Sequence, residues 1–372
     1  MRILVLNYEY PPASGGAGSL TKLLVEQFSK KQNNVDVVTT HSKNLPLFQK
    51  YENVEIWRIP VCNSDPSSRT IWQMIAYAFL AKFVLFILMA KNKYQSVHVH
   101  FLYPTGLLIP LIRLFHKGKI ILTFHGGDIP SHSPGQTGLY HKMLNPLSCL
   151  ILKMIDNAVV INNTHYKLIK KDFPQILPKL SIIPNGIRIP HTIHKRNGAI
   201  TNFVFVGRLS PEKNVGKILK ILSKIESNFK FHIIGDGRMK NHLKKLTQDL
   251  FLEDNVIWYG WLNTKEIKRI LLKSHFMLMH SDFEGLSISA LEAMSYGIPV
   301  ISNDCEGMRG LVENGVNGFI CRTSREYINR IESCWKLTKD EYNTLMRMTF
   351  NKVKKYSITE VSKEYLKIME VK

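Results

Sequence analysis

Cysteine is scarce in this sequence, and the few cysteines form no recognisable pattern. They are odd in number, five in all, with no C-x-x-C spacing, which argues against a disulfide framework or a common zinc module. The N-terminal stretch "MRILVLNYEYPP" lacks the apolar core and small-residue cleavage site of a secretory signal, so we expect a protein of the cytosol. We accordingly predict reduced thiols at Cys62, Cys149, Cys305, Cys321 and Cys334.

Acidic residues are also few. The chain has 29 Asp and Glu against 50 Lys and Arg, and its formal net charge is +21. Residues 1–190 hold 21 basic and 9 acidic residues (+12), which leaves 29 and 20 (+9) for the rest, so the excess is not a basic tail. Such a field attracts nucleic acid, anionic lipid or phosphorylated substrates. We find no basic recognition helix and no known nucleic-acid module, so nucleic acid is the weaker alternative.

Short β-rich segments alternate with helical patterns along the whole chain, in two sets separated by the polar stretch 188–201. Nearly continuous apolar strands with helices between them are typical of parallel sheets covered on both faces. We predict an α/β fold of two Rossmann-like doubly wound domains facing a cleft, over residues 1–190 and 197–350. The charged helix of residues 339–372 could belong to either domain, and its part from about 355 onward could pack back on the first. The predicted strands are RILVLNY, NNVDVVTT, SVHVHF, KIILTF, NAVVINN and KLSIIPN, then NFVFVGRL, FKFHIIGDG, NVIWYGWL, FMLMHS, IPVISND and GFICR.

The segment "FEGLSISALEAMSYGIPV" (283–300) places two carboxylates around a helix start. We predict a helix over 287–296, with Gly297 ending it. Glu284 and Glu292 are eight residues apart, and at about 100° per residue their side chains would point roughly 80° apart on a single helix. Two side chains on one helix would therefore not reach the same ligand atom. We therefore expect Glu284 in the preceding loop and Glu292 inside the helix. The free amides of 285–288 would then bind an anion, and the two carboxylates would bind hydroxyl groups, which together suit a sugar nucleotide. The alternative is that both glutamates are simply solvated.

Three further strand ends carry polar or glycine residues. In "FVGRLSPEKN" (205–214), Arg208 and Lys213 could neutralise a leaving diphosphate, or could be ordinary surface cations. In "ASGGAGSLT" (13–21), Gly15 and Gly16 would let a phosphate approach the next helix, with Ser14 or Ser19 as its cap. A dinucleotide fingerprint is disfavoured there because Thr21 occupies the third glycine position. In "LTFHGGDIP" (122–130), a strand-end His could be structural or functional.

Together these motifs resemble the retaining family 4 glycosyltransferases, which have the two-domain GT-B architecture. The 283–300 segment resembles the family's E-x7-E signature, and "GRLSPEKN" resembles its diphosphate-binding element. "IIPNGI" resembles an interdomain segment, which we expect to form a tight turn at Asn185 and Gly186. "IIGDG" and "YGWL" resemble strand ends near the nucleobase. The resemblance implies catalytic roles for His125 and Glu284, and donor binding by Gly15, Gly16, Arg208, Lys213, Gly235, Trp261, Leu262, Gly285, Leu286, Ser287, Ile288 and Glu292.

By this resemblance, Glu284 positions sugar hydroxyls, Glu292 holds the ribose and His125 lies beside the donor sugar. Asp128 could orient the imidazole or help to position the acceptor. The leaving phosphate would itself accept the acceptor's proton, and the two cations would replace a metal ion, so we expect no cofactor. UDP-sugars are the more frequent donors in the family and GDP-mannose the next. A nucleotide-sugar epimerase or hydrolase with the same donor site is the alternative.

No acidic residue occurs between Asp65 and Asp128, whereas seven cations do. This window includes the apolar stretch "IWQMIAYAFLAKFVLFILMA" (71–90), which is long enough to span a bilayer. Spanning would separate the Gly15 loop from the His125 loop, so we expect a helix packed on the first sheet, with aromatic rings around most of it. We predict an interfacial surface for anionic lipid, a lipid-linked or glycan acceptor, and a peripheral position on the inner face of the membrane. The cations are Arg69, Lys82, Lys91, Lys93, Arg113, Lys117 and Lys119, and the aromatic residues are Trp72, Tyr77, Phe79, Phe83 and Phe86.

Overall fold

A computed structural model describes residues 1–11, 15–42, 44–61, 71–132, 134–193 and 202–370, with the backbone alone at 71, 132 and 134–143. The chain divides into two compact units. The N-terminal unit comprises Met1–Gly186 and Ile358–Lys372, and the C-terminal unit comprises Ile187–Ser357. Each unit has its own hydrophobic core, built from buried strands and the inward faces of its helices.

The N-terminal unit contains an eight-stranded sheet in the order β3-β4-β2-β1-β5-β6-β7-β8. Its strands are parallel except for β3, which pairs with β4 in the antiparallel direction at the sheet edge. The strands are β1 Arg2–Leu6, β2 Asn34–Thr40, β3 Phe48–Tyr51, β4 Val54–Ile59, β5 Ser96–His100, β6 Lys119–Thr123, β7 Asn157–Val160 and β8 Leu180–Ile182. The helices are α1 Gly16–Lys30, α2 Ile71–Lys91, α3 Ile109–Phe115, α4 Pro134–Lys153 and α5 Asn163–Asp172.

The C-terminal unit contains a six-stranded parallel sheet in the order β11-β10-β9-β12-β13-β14. This is the doubly wound 3-2-1-4-5-6 order, in which the winding direction changes between the first and fourth strands. The strands are β9 Asn202–Val206, β10 Lys230–Ile234, β11 Val256–Gly260, β12 Phe276–Met279, β13 Val300–Asn303 and β14 Gly318–Cys321. The helices are α6 Val215–Leu222, α7 Lys240–Asp249, α8 Thr264–Leu271, α9 Ile288–Ser295, α10 Glu306–Arg309, α11 Ser324–Cys334 and α12 Lys339–Val353.

The last helix, α13 (Ile358–Met369), belongs to the N-terminal unit, where it contacts α1 and β6. The predicted single charged helix over 339–372 is therefore two helices in two units. Helix α12 begins at a capping box, in which Thr338 and Glu341 satisfy each other's backbone N–H groups. It gives way to a 3-10 turn over Lys354–Tyr356 before α13 begins.

Helix α2 has two opposite faces. Its inward face packs on the sheet, and the Tyr77 hydroxyl donates a hydrogen bond to the Val38 carbonyl oxygen over 3.1 Å. The expectation that aromatic side chains surround the helix is therefore wrong for Tyr77, which is buried. By length and composition Trp72–Lys91 could cross a membrane, although 28% of its apolar window is buried. The inward residues are Tyr77, Ala78, Ala81, Leu85 and Leu88, and the exposed large apolar residues are Trp72, Ile75, Phe79, Phe83, Phe86 and Ile87.

The predicted α/β class of two Rossmann-like domains is confirmed, and all the segments predicted as strands form strands. The predicted tight turn at Asn185 and Gly186 is wrong, because the structure has no turn at these two residues. Gly186 serves packing instead: a Cβ atom at this position would lie 2.8 Å from the Ile358 Cδ1 atom. Among the described cysteines, Cys149, Cys305, Cys321 and Cys334 are free thiols, and Cys62 lies outside the described residues.

Candidate active site

The C-terminal unit brings its predicted residues to the point where its strand order reverses. Strand β9 ends at Val206 and leads through Gly207 to Arg208, and the neighbouring strand β12 leads into the loop that carries Glu284. In doubly wound sheets, ligands bind outside the carboxyl ends of the strands at this reversal. The candidate donor residues of both loops therefore lie at the edge where a ligand is expected.

Lys213 and Glu284, which are 71 residues apart in the chain, form an ion pair between Nζ and Oε1. The Ser281 hydroxyl donates to the same carboxylate oxygen over 3.0 Å. The Glu284 side chain is only 9% exposed and the Lys213 side chain 22%. A largely buried carboxylate of this kind depends on its cation and its hydrogen bond, because desolvation otherwise penalises the charge.

The loop that carries Lys213 and the loop that carries Glu284 are tied together by two more hydrogen bonds. The Asp282 amide donates to the Glu212 carbonyl oxygen over 2.8 Å, and the Asn214 Nδ2 donates to the Asp282 carboxylate over 2.5 Å. Asn214 adopts a left-handed conformation (φ 47°), which Asn tolerates better than most residues. Arg208 is exposed beside these loops, and its guanidinium makes no ion pair with any residue in the described part of the chain.

Three glycines line the carboxyl edge of the sheet next to Arg208. The Gly207 amide donates to the Ile234 carbonyl oxygen over 3.0 Å, and the Gly235 amide donates to the Gly260 carbonyl oxygen over 2.8 Å. A Cβ atom on Gly235, whose φ is +140°, would lie 1.8 Å from the Gly207 carbonyl oxygen. Only glycine fits there, so the "IIGDG" motif is needed for this close approach of two strand ends. Trp261, which is 64% exposed, and Leu262 follow the third strand end.

Helix α9 begins at Ile288, with Ser287 as its N-cap: the Ser287 hydroxyl accepts from the Ala290 amide over 3.4 Å. Glu284 lies in the loop before the helix and Glu292 inside it, as predicted. Gly297 ends the helix in a left-handed conformation (φ +73°). Gly285, Leu286, Ser287 and Ile288 thus form the approach to a helix N-terminus, which favours anions.

Burial raises the pKa of the Glu292 carboxyl from 4.5 to about 7. Its carboxyl oxygens have no hydrogen-bond partner among the residues that the structure describes, although its backbone carbonyl accepts from the Ser295 hydroxyl over 2.7 Å. A partly buried carboxyl without a donor is suited to receive hydroxyl groups, because their hydrogen bonds offset the desolvation of its charge.

Gly307 is a residue of this site that the sequence analysis missed. A Cβ atom on it would lie 2.3 Å from the Glu284 carbonyl oxygen and 2.5 Å from that of Gly285. Helix α10 therefore rests directly on the backbone of the Glu284 loop. The dipeptide Glu306-Gly307 carries no motif, so only the long-range contact shows its role.

In the N-terminal unit, α1 begins at Gly16 with Gly15 as its N-cap, and no side chain caps it. Ser19 lies inside the helix, where its amide donates to the Gly15 carbonyl oxygen over 3.2 Å. The prediction of Ser19 as a cap is therefore wrong, and Ser14 lies outside the described residues. The first amides of α1 follow Gly15, and a helix N-terminus of this kind favours an anion.

His125 follows β6, and its ring contacts two other rings. Its Nε2 atom is 2.9 Å from His100 Nδ1, with the two rings stacked at an interplanar angle of 16°. The Phe101 ring also contacts it, at 4.6 Å between centroids. Burial lowers the pKa of His125 from 6.5 to about 3, so its imidazole is neutral at physiological pH. A neutral ring can donate or accept a hydrogen bond but carries no charge.

Asp128 does not orient the His125 imidazole, contrary to expectation. Its carboxylate instead accepts three backbone N–H groups, those of Leu102 (2.9 Å), His125 (2.9 Å) and Gly126 (3.1 Å). These amides at the ends of β5 and β6 have no strand partner there, so the buried carboxylate satisfies them. Burial nevertheless raises the pKa of Asp128 to about 6. Asp128 thus holds the loop that carries His125, and not its ring.

In the described part of the chain, no group of three or more His, Cys, Asp or Glu residues is placed to hold a metal ion. The positive charge at the candidate donor site comes from Arg208 and Lys213. The N-terminus of α9 adds a partial positive charge from its backbone.

Two family profiles cover nearly the whole chain. The profile described as Glycosyltransferase Family 4 matches residues 14–189, and that described as Glycosyl transferases group 1 matches residues 192–351. The UDP-Gal:alpha-D-GlcNAc-diphosphoundecaprenol alpha-1,3-galactosyltransferase of Escherichia coli is 30% identical over 292 residues, which cover 72% of this chain and 70% of that enzyme. The chain is a family 4 glycosyltransferase.

Solved structures share the fold of this glycosyltransferase over its full length. Sucrose-phosphate synthase from Thermosynechococcus elongatus superimposes with a TM-score of 0.83 at 15% identity, covering 99% of this chain and 98% of that one. An Anabaena protein solved in complex with UDP-glucose gives a TM-score of 0.70 at 17% identity, with 99% and 98% coverage. The family resemblance seen in the motifs is thereby confirmed, whereas the roles of individual site residues of this glycosyltransferase stay predictions.

Proposed function

We propose that this glycosyltransferase transfers a hexosyl group from a UDP-sugar to a lipid-linked or polysaccharide acceptor in cell-surface glycan synthesis, with retention of the anomeric configuration. The Lys213–Glu284 pair beside Arg208, at the strand-order reversal, is the observation that supports it most. The E. coli relative is named for a UDP-Gal donor and a diphosphoundecaprenol acceptor. A second relative, 34% identical over 128 residues, is named a lipopolysaccharide 1,6-galactosyltransferase.

The proposed reaction breaks the bond between the anomeric carbon and the diphosphate oxygen, and forms a bond to the acceptor oxygen on the same face. Negative charge grows on the departing UDP, and Arg208, Lys213 and the N-terminus of α9 would stabilise it without a metal ion. The departing phosphate takes the acceptor's proton. Glu284, fixed by Lys213 and Ser281, would hold hydroxyls of the transferred sugar. In the N-terminal unit, His125 and the Gly15–Gly16 amides are our candidates for further donor contacts.

The test is product analysis with radiolabelled UDP-galactose, UDP-glucose and UDP-N-acetylglucosamine, each offered with a bacterial lipid extract in EDTA. We expect label to move into the organic phase from one donor, and the anomer formed to match the donor's. Label released only as free sugar would indicate a hydrolase, and a changed sugar on UDP would indicate an epimerase. Transfer that needs added Mn²⁺ would contradict the metal-independent mechanism.

The ionisation of Glu292 predicts how donor binding depends on pH. If ribose hydroxyls donate to this carboxylate, the donor binds the ionised form, so affinity should rise with pH through about 7. For a pKa near 7, the ionised fraction differs about tenfold between pH 6 and pH 8. We expect a similar change in the Kd of the preferred UDP-sugar, measured by calorimetry. The Glu292→Gln variant should bind more weakly and without this pH dependence; an unaltered dependence would contradict the role of Glu292.

The outer face of α2 supports a peripheral position on the membrane. Its exposed rings continue onto α3, where the Phe115 ring meets that of Phe86 at 5.8 Å, and Leu114 is 78% exposed. Apolar patches of this kind mark interaction surfaces, and neighbouring lysines suit anionic head groups. Arg113 does not take part, because its guanidinium pairs with Asp156 at 2.6 Å, and Arg69 lies outside the described residues. The cations left for lipid are Lys82, Lys91, Lys93, Lys117 and Lys119.

Vesicle co-sedimentation tests this surface. We expect binding to phosphatidylglycerol–phosphatidylcholine vesicles that weakens with salt, and little binding to phosphatidylcholine alone. Replacing Phe79, Phe83 and Phe86 by Ser should weaken binding at least about 100-fold, because each of the three rings contributes about 1.5–3 kcal/mol when it enters the membrane and about 1.4 kcal/mol corresponds to tenfold. Phe251→Ser is the matched control, since this ring is 89% exposed in the C-terminal unit. Equal binding of the triple variant and the control would refute the proposed surface.

A further inference from the structure

Four aromatic rings form a continuous column inside the N-terminal unit, from the C-terminal helix to His125. The Tyr365 ring of α13 packs on His98 at 4.9 Å between centroids, and His98 packs on His100 at 4.1 Å. His100 then stacks on His125 at 5.2 Å. We call Tyr365, His98, His100 and His125 the ring column.

The base of the ring column is closed by hydrogen bonds. His98 Nε2 is 2.8 Å from the Thr123 hydroxyl oxygen, which is 3.2 Å from the Tyr365 hydroxyl oxygen. Tyr365, His98 and His100 are each 0% exposed. Close-packed interiors transmit displacements, so a displacement of the Tyr365 ring also displaces the imidazoles of the ring column.

Hydrogen bonds also restrict His100, which contacts His125 directly. The Thr21 hydroxyl donates to the Ala17 carbonyl oxygen over 2.8 Å and accepts from Asn7 Nδ2 over 2.7 Å. The single hydroxyl proton of Thr21 is therefore already used. The Thr21 oxygen lies 3.4 Å from the ring nitrogens of His100, and towards them it can only accept a hydrogen bond. In the close contact between His100 and His125, one nitrogen donates and the other accepts, so the state of His100 selects the tautomer of His125.

We propose that Tyr365 is a positioning residue, which fixes the ring orientation and tautomer of His125 through the ring column. This inference rests on the proposed function in one respect, the role of His125 beside the donor sugar. Among the described residues, the Tyr365 ring contacts His98 and its hydroxyl group Thr123, and neither is a candidate substrate-binding residue. Its contribution is to keep the imidazole in one orientation, on which catalysis by a positioned group depends strongly.

Two substitutions separate positioning from stability. Tyr365→Phe keeps the ring of the column and loses only the hydroxyl, whereas Tyr365→Leu keeps apolar bulk and loses the ring. Met369→Ala is the matched control, because Met369 is also 0% exposed on α13 but is not part of the ring column. All three are compared with the wild type per mole of folded enzyme.

We expect Tyr365→Leu to lower kcat about tenfold while the donor KM changes less than about twofold, and Tyr365→Phe and Met369→Ala to stay near wild type. Nitrogen-15 spectra of the imidazoles, with His125 assigned by the His125→Gln variant, provide the second measurement. They should show one neutral tautomer in the wild type and Tyr365→Phe, and a mixture in Tyr365→Leu.

Wild-type kcat and an unchanged His125 spectrum in Tyr365→Leu would overturn the inference. So would an equal loss of kcat in Met369→Ala, since that loss would reflect stability alone. If the wild type transfers no sugar, the proposed function fails, and the spectra still decide whether Tyr365 controls the state of His125.

Discussion

Replacing Glu284 by Gln, Lys213 by Ala or Arg208 by Ala is expected to lower kcat/KM for transfer at least about 100-fold each. Glu284→Gln keeps the shape and removes the charge that Lys213 neutralises. Lys213→Ala removes the cation and leaves a carboxylate that is only 9% exposed without its partner. Arg208→Ala removes an exposed cation at the end of β9, and should change melting temperature least. The measurement is initial rate against donor concentration, with a melting curve for each variant.

Arg325→Ala, an exposed cation on α11, is the control that should keep its full rate. Because Lys213 and Glu284 are in contact, the double variant should lose less than the product of the two single losses. Rates near wild type in all three single variants would remove the donor-site assignment. A fully additive loss in the double variant would show that the two residues act independently.

Acid is expected to destabilise the N-terminal unit below pH 6.5. Burial lowers the pKa of His98 and of His125 from 6.5 to about 3, and that of His100 well below 6.5. The unfolded chain therefore binds protons below pH 6.5 that the folded unit does not, and the free energy of unfolding falls as the pH falls. Each imidazole accounts for roughly 1.4 kcal/mol per pH unit.

Asp128 acts in the opposite direction. Because burial raises its pKa from 3.8 to about 6, the folded unit keeps a proton that the unfolded carboxyl releases, and stability is gained as the pH falls from 6. Between pH 5 and 6, the three imidazoles and Asp128 together leave the unfolded chain with about two more bound protons than the folded one. The free energy of unfolding therefore falls by on the order of 3 kcal/mol for each pH unit of acidification.

Urea unfolding at about pH 7, 6 and 5.5 measures this dependence. The His125→Gln variant should show a slope of unfolding free energy against pH that is smaller by one proton. The exposed His242→Gln variant is the matched control. An identical slope in His125→Gln and the wild type would contradict a neutral, buried His125.

The sequence predicts the strands well because each is a short β-branched or aromatic segment beside a turn signal, as in "NFVFVG" before Arg208. It does not reveal the β3–β4 hairpin, since the edge segment "FQKYENVEIWRI" carries charges at Lys50, Glu52 and Glu55. It also merges α12 and α13. Yet "SITE" at 357–360 has the pattern of a capping box, which is a start signal for a second helix.

For the candidate site, local patterns predict which residues lie at strand ends, because parallel strands end at a common edge. Those patterns predict, from the sequence alone, that Arg208, Glu284 and His125 follow strand ends. They do not predict the Lys213–Glu284 contact, the packing of α10 at Gly307 on the Glu284 loop, or the ring column. Each of these joins segments far apart in the chain, and such pairing depends on packing rather than on spacing.

The return of α13 to the N-terminal unit bears on biosynthesis. A ribosome adds about ten residues per second, so the first 186 residues emerge and then wait on the order of tens of seconds for the helix that completes them. Throughout that interval the imidazoles of β5 lack the Tyr365 ring that covers them. A nascent chain in this state exposes an unfinished core, which is the kind of surface that chaperones recognise.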